Sequence, residues 1–364
     1  MIPTSFDYKK ATSISDALAS LNGDAKILAG GHSLIPAMKL RLNQPATLVD
    51  ITGIAELKGI TDGGDKLIIG ANATHHDIVD SDLVKAHCGM LSQGGDMIGD
   101  IQVRNKGTIG GSIAHADPAA DWPAMLIASG ATIRVQNSGG SRDISADDFF
   151  TGFYETALKD DEIITEIHVP KQGADTVGVY VKFPQPASRF AIVGVAALLT
   201  HSGGNCSDVS IALNGVAGNA FRDTGAQSAL EGKAYSAENI AAAANAAAEG
   251  VDVLSDPFAS EKYRKHLAKV YVKRALSAAN NQVDDLTKVE GIGPKIAEAL
   301  QAAGVKTFAQ LASKSSVEIK DIIVAANSRF ANANPGTWPA QAKLAAEGNW
   351  DTLKKWQDEL DGGV

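Results

Sequence analysis

Two short stretches carry the residue types that a diphosphate needs. "AGGHSL" spans 29–34 and "TIGGSI" spans 108–113. Each is a glycine pair followed within two residues by a serine, beside β-rich apolar residues. Glycine reaches φ > 0 and lets backbone approach a ligand closely. Successive N–H groups in such a turn form an anion-binding nest. Ser33, Ser112 and Thr108 add hydroxyl donors. One such turn can equally be a tight strand–helix connection. Two of them, each after a strand, suit one ligand with two phosphates. Neither is GxGxxG or GxxxxGK[ST], so a Rossmann or P-loop site is not supported.

Other reactive residue types are scattered. His32 either fixes its own turn by hydrogen bonding or touches the ligand. His75 and His76 invite a metal reading, but adjacent histidines point apart and no acid–cysteine set completes a site; a loop beside the ligand is the alternative. Arg104 is expected to brace the second turn, with phosphate contact as the alternative. Asp117 can cap a helix over "PAADWPAML", with Pro118 at its first position, or serve as a ligand. Cys88 and Cys206 have no CxxC partner, so they are expected to be packed thiols, with neither metal nor disulfide. No Ser-His-Asp order, paired-carboxylate spacing or cysteine cluster appears, so no catalytic residue is assigned and no metal ligand.

Elements must hold the two turns together. "SISDALASLN" (13–22) predicts a short helix capped by Ser13 or Ser15. "AKILAG", "ATLVDI" and "KLIIGA" predict strands bounded by Gly or Asn. "THHDIVDSDLVKAHCGMLSQGGDMIG" has helical period; "PAADWPAMLIASGATIRVQ" is a helix followed by a strand, and "DEIITEIHVP" is a strand ending at Pro170. From 175 to 215 the pattern is antiparallel: "VGVYVKF", "FAIVGVAALLT", "CSDVSIALNGV". Alanine-rich helical sequence follows. "NNQVDD" predicts a linker, and 284–364 a separate helical module. The chain is therefore α+β, of 364 residues, 45% hydrophobic and net −9. That charge disfavours nucleic acid and anionic membrane surfaces. No apolar run approaches the ~20 residues of a membrane span, and no signal peptide is visible. A reducing cytoplasm is the expected location; peripheral membrane association stays open.

"AGGHSLIPAMKLRL", "GANATHHDI", "IQVRNKGTIGGSIAHADPAADWPAML" and "KFPQPASRFAIVGVAA" together resemble the FAD-binding medium subunit of the molybdenum hydroxylases. The resemblance covers about 1–280 and is nearest to aerobic carbon monoxide dehydrogenase; xanthine dehydrogenase carries the related domain. It implies a vanillyl-alcohol-oxidase (PCMH)-type FAD domain over 1–172, split into subdomains near 55. A flavoprotein C-terminal α+β domain follows over 175–282. Ala29, Gly30, Gly31, His32, Ser33 and Leu34 would wrap the FAD pyrophosphate. Thr108, Ile109, Gly110, Gly111 and Ser112 would form its second wall, with His115 beside it. Asp121 matches the acid that bonds FAD hydroxyls, Lys182 the lysine near the isoalloxazine, and Ile164 loosely a leucine contact. Phe190 stands where related subunits place Tyr or Phe near the flavin; it can pack there but cannot hydrogen-bond.

The resemblance implies an electron-exit role. A large molybdenum subunit with Mo-pterin oxidises the substrate, a small subunit carries two [2Fe–2S] clusters, and FAD on this chain passes electrons to quinone or another acceptor. The expected assembly is a dimer of heterotrimers. Carbon monoxide is the expected substrate of the partner, with xanthine, aldehyde or N-heterocycle oxidation as alternatives, and a scaffold that lost FAD as a remote one.

The tail departs from that family. "VEGIGPKIAEAL" resembles a helix-hairpin-helix. Residues 284–364 carry nine Lys/Arg against eleven Asp/Glu, net −2. That is poor for counterion-driven nucleic-acid binding, so protein docking or assembly is expected, with Trp338, Trp350 and Trp356 as a cap or interface.

Overall fold

The computed structural model describes residues 2–173, 175–202, 205–280, 284–347 and 349–360. A small first unit alternates strands and helices: β1 (Asp7–Lys10), α1 (Ile14–Ala19), β2 (Ala25–Leu28), α2 (Leu34–Lys39) and β3 (Thr47–Asp50). The strands are parallel in the order β1-β3-β2. Ser13 caps α1 by accepting the Asp16 N–H at 3.1 Å. Ala17, Val49, Ile51, Ile54 and Leu57 form this unit's core.

The second unit runs through β4 (Ile60–Asp62), β5 (Lys66–Gly70) and six helices: α3 (His75–Asp80), α4 (Asp82–His87), α5 (Gly89–Asp96), α6 (Ile101–Arg104), α7 (Ile109–His115) and α8 (Asp121–Ala128). Then come β6 (Thr132–Asn137), β7 (Gly140–Ser145), α9 (Ala146–Phe149), the short hairpin β8 (Phe150–Gly152) and β9 (Glu155–Thr156), and β10 (Ile163–Pro170). Its sheet is antiparallel, ordered β4-β5-β10-β6-β7. The helical period over 74–98 breaks into three short helices. Ser81 restarts the chain by accepting the Val84 N–H, and Cys88 leaves helical geometry at φ −147°. Asn72 ties the two units: its Nδ2 donates to Ile51 O at 2.7 Å and its N–H to Leu57 O at 2.7 Å.

The third unit is the antiparallel sheet β11 (Thr176–Pro184), β12 (Ala191–Ser202), β13 (Asn205–Asn214) and β14 (Phe221–Arg222), followed by α10 (Thr224–Leu230), α11 (Ala237–Ala246) and α12 (Glu261–Asn280). Strand residues point alternately to opposite faces. Tyr180, Ala196 and Ala212 join the core of the second unit, against α5 and α8. Val177, Val179, Val193, Val195 and Leu213 pack on α10, α11 and α12. Both faces are therefore buried. Each fully buried valine contributes roughly 1.5–3 kcal/mol, so the strand pattern locks this sheet between two cores.

The tail has a core of its own, with Leu286, Val289, Leu300, Leu311, Ile323, Trp338 and Leu353 buried. It contains α13 (Pro294–Ala302), α14 (Phe308–Ala312), α15 (Ser316–Ala326), α16 (Trp338–Ala346) and α17 (Trp350–Gln357). The linker expectation is corrected at its end. Asp284 accepts the Phe308 N–H and Asp285 caps a short 3-10 turn, so both belong to the module; residues 281–283 lie outside the described ones. Trp338 is core rather than interface, whereas Trp350 is half-exposed with Lys288 Nζ 5.1 Å above its ring.

Candidate functional site

The two glycine turns meet. A Cβ on Gly30 would lie 2.1 Å from Lys106 O and 2.8 Å from Gly107 Cα, so the first turn rests directly on the backbone leading into the second. A Cβ on Gly111 would point toward Ala29, 3.8 Å from its Cβ. Sequence positions nearly eighty apart thus form two sides of one gap.

Their chemistry differs. In the first turn Gly31 is left-handed at φ +72° and Ser33 is right-handed. The N–H groups of Gly30 to Ser33 bond no acceptor among the described residues. His32 Nδ1 bonds Gly30 O at 2.9 Å, so its ring fixes the turn. The Ser33 hydroxyl makes no cap bond. The second turn departs from a nest. Ile109 N–H donates to Ala73 O at 3.1 Å, Gly110 N–H to Ala71 O at 2.9 Å, and Ser112 N–H to Thr108 O at 3.0 Å. Gly111 N–H donates to Thr108 Oγ1, the cap of α7, at 3.1 Å. This wall offers the half-buried Ser112 hydroxyl and a surface, not backbone donors. Gly110 is glycine because Ala71 leaves its Cβ no room, at 2.7 Å from both Cβ and O.

A buried brace stands behind the gap. His75 N–H donates to Gly107 O at 2.9 Å, and its Nδ1 accepts from Trp122 Nε1 at 3.0 Å. Trp122 can only donate, so the neutral ring carries its proton on Nε2. Burial, with lesser pushes from His32 and Arg104, drops the His75 pKa to about 4. His75 is thus a structural histidine. Arg104 does not brace the second turn: it donates to Ile98 O at 3.1 Å and pairs with Asp96 at 3.2 Å.

Asp117 is not the cap of α8. That helix starts at Asp121 with Ala120 as its cap. Asp117 Oδ1 instead accepts the Ala119 N–H at 2.9 Å and closes a turn, while Oδ2 accepts from Tyr154 Oη at 3.1 Å. Burial and the Asp117 charge raise the Tyr154 hydroxyl to about 12. The exposed His115 ring lies 5.0 Å from that of Tyr154.

Asp121 and Lys182 come together as a buried ion pair, Nζ to Oδ2 at 2.8 Å, both side chains 4% exposed. Asp121 Oδ1 accepts from Tyr180 Oη at 2.5 Å. Burial raises the Asp121 pKa; the Lys182 ammonium and the Tyr180 hydroxyl oppose the rise. Lys182 also donates to Arg189 O at 2.7 Å, holding the loop that carries Phe190, itself 43% exposed. Ile164 is buried in the sheet core opposite Val135. Tyr180 is the residue that sequence reasoning missed. Its signal was present: it lies two residues before Lys182, on the same strand face.

The donor set fits a dinucleotide diphosphate: unpaired first-turn N–H groups, the Ser33 and Ser112 hydroxyls, and a glycine-lined gap. Residues 4–172 match the family described as the FAD binding domain in molybdopterin dehydrogenase, and 178–279 the CO dehydrogenase flavoprotein C-terminal domain. Residues 286–346 match the RS2/RL21/YNQ2 HHH domain. The chain is 42% identical over 282 residues to the carbon monoxide dehydrogenase medium chain of Hydrogenophaga pseudoflava, covering 77% of this chain and 98% of the relative. It is 37% identical over 274 residues to the nicotine 6-hydroxylase medium subunit of Paenarthrobacter nicotinovorans, covering 75% and 96%. The solved carbon monoxide dehydrogenase of Hydrogenophaga pseudoflava lacking the Mo-pyranopterin moiety aligns with a TM-score of 0.75 at 42% identity, covering 77% of this chain and 98% of that one. Quinoline 2-oxidoreductase of Pseudomonas putida 86 aligns at 0.73 and 33%, covering 77% and 98%. The fold and site define a flavoprotein oxidoreductase subunit. The chain belongs to the FAD-binding medium subunits of the molybdenum hydroxylases.

Proposed function

We propose that this chain is the electron-exit subunit of a heterotrimeric molybdenum hydroxylase, most closely of the carbon monoxide dehydrogenase type. The carrying observation is the junction of the two glycine turns, where a turn whose N–H groups are unpaired among the described residues lies against the backbone leading into the other. FAD, when bound, accepts electrons and passes them on, and the protein supplies binding, orientation and electrostatics. The first-turn N–H groups, Ser33 and Ser112 would hold the pyrophosphate. His32 and His75 would keep the turn and wall in place. Lys182, kept in position by Asp121 and Arg189 O, would present positive charge to the flavin.

The clusters belong elsewhere. Each [2Fe–2S] centre needs about four thiolate or histidine ligands, and this chain has two cysteines, both buried. A small subunit with two clusters and a large Mo-pterin subunit complete the proposed dimer of heterotrimers, with quinone or another non-NAD carrier as acceptor. The nicotine-hydroxylating relative supports a second reading of the partner's substrate, an N-heterocycle in place of carbon monoxide. Co-expression with the neighbouring subunit genes tests the proposal. The expected product is one complex containing Mo, Fe and FAD that oxidises carbon monoxide; a monomer with its own substrate turnover would refute it.

A further inference from the structure

We propose that Tyr180 is a positioning residue for the flavin: by holding Asp121 Oδ1 it governs how much of the Lys182 charge remains available to the cofactor. The inference rests on the FAD reading above. Three donors converge on two oxygens and a carbonyl. Tyr180 Oη lies 2.5 Å from Asp121 Oδ1, and Lys182 Nζ lies 2.8 Å from Oδ2 and 2.7 Å from Arg189 O. An ammonium has three N–H groups. Two of those of Lys182 are matched within the chain, so one remains to offer. A donor at Oδ1 draws carboxylate charge away from Oδ2 through a short charge-assisted bond. Lys182 then keeps more of its positive field.

The surroundings are built around that hydroxyl. Tyr180 and Asn214 are fully buried, and Asn214 Oδ1 lies 3.2 Å from Tyr180 Oη. Gly194, on β12 opposite Lys182, has no room for a side chain: a Cβ there would lie 2.3 Å from Tyr180 Oη and 2.2 Å from Asn214 Oδ1. Gly94 on α5 similarly leaves space for the ring, since its Cβ would lie 3.0 Å from Tyr180 Cδ1. Burial and the Asp121 charge keep the phenol protonated, with a pKa well above 10. Asp121 comes from α8 and Tyr180 from β11, so the bond also joins the FAD domain to the C-terminal domain. A purely structural tyrosine would satisfy the same packing. What separates the two roles is whether the flavin potential follows the hydroxyl.

The test compares the co-purified complex with its Tyr180→Phe and Asp121→Asn variants. FAD content, melting temperature and the flavin midpoint potential are measured from pH 6 to 9. At pH 8, Tyr180→Phe should retain FAD and lower the potential, because an undiluted carboxylate neutralises Lys182 more fully. A tenfold change in the reduction equilibrium, about 30 mV for two electrons, is the expected size. Asp121→Asn should raise the potential. Because the Tyr180 hydroxyl opposes the rise of the Asp121 pKa, the variant's Asp121 takes a proton before the wild type's as pH falls, so the deficit in potential should shrink and then reverse toward the acid end, with Asp117 the other carboxylate acting on Asp121. An unchanged potential in FAD-loaded Tyr180→Phe, or shifts of the same sign in both variants, overturns the inference. If Tyr180→Phe does not fold, Asp121→Asn decides alone: an unchanged or lowered potential overturns it. A wild-type complex without FAD would instead sink the flavin reading, and this inference with it.

Discussion

Alanine at Gly30 should damage the fold, whereas alanine at Gly111 should not. The Gly30 Cβ would meet three backbone atoms of residues 106 and 107 at 2.1, 2.8 and 2.8 Å, none of which can swing aside. Overpacking of this kind costs typically 1–3 kcal/mol, and the all-backbone clash places Gly30→Ala near ~3 kcal/mol. For a unit of this size, each kcal/mol lowers the melting temperature by about 2–4 °C, so a drop of about 6–12 °C is expected in the FAD-free chain. At Gly111 the nearest atom is Thr108 Oγ1, at 2.9 Å, a side-chain end that can rotate. Its movement forfeits the cap of α7, worth ~1 kcal/mol. Gly111→Val goes further: its methyl groups fill the gap toward Ala29, so FAD retention should be lost from a folded chain. Thermal unfolding by near-ultraviolet circular dichroism, with flavin absorbance per protein, reads both effects. A Gly30→Ala melting temperature equal to wild type would refute the contact argument. Stoichiometric FAD in Gly111→Val would refute the shared gap.

His75 should make the fold acid-sensitive. Its folded pKa, near 4, lies below the unfolded value near 6.5, so the unfolded chain takes up the proton first and stability falls as pH drops from 6.5 to about 4. The total is about 3 kcal/mol; denaturant titrations of His75→Phe should show a slope over this range flatter by one proton. Ending the chain at Asn281, a position outside the described residues, should leave flavin content intact, since the module packs a separate core; loss of FAD would show otherwise. Cys88 and Cys206 are buried, with burial raising both thiols to about 11, so iodoacetamide at pH 8 should label neither until denaturant is added.

The strand alternation in "VGVYVKF" was legible because each parity faces a different core, and the glycine pairs because few residues tolerate such turns. What escaped the sequence depends on distant partners. The Ala71 and Ala73 carbonyls that consume the second turn's N–H groups lie about forty residues away, so a nest and a wall look alike in "TIGGSI". Asp117 followed by Pro118 has the form of a helix start, but Tyr154 and the Ala119 N–H claim the carboxylate first. The Asp121–Lys182 pair was readable as two separate site residues; only the packing of α8 on this sheet, chiefly against β12 and β13, shows that they bond to each other.

The double-sided burial of β11 also determines where this chain can change length. Inserting or deleting one residue within 177–183 would reverse the parity of the strand. Lys182 would enter the aliphatic core beneath α12, and Phe183 would take its place against Asp121. Both parities pack against cores, so neither side accepts the error cheaply. The register already slips once, between Phe183 and Pro184, immediately before the 185–190 loop. Length variation among relatives should therefore collect in that loop and around 171–175, leaving the strand between them fixed in residue count.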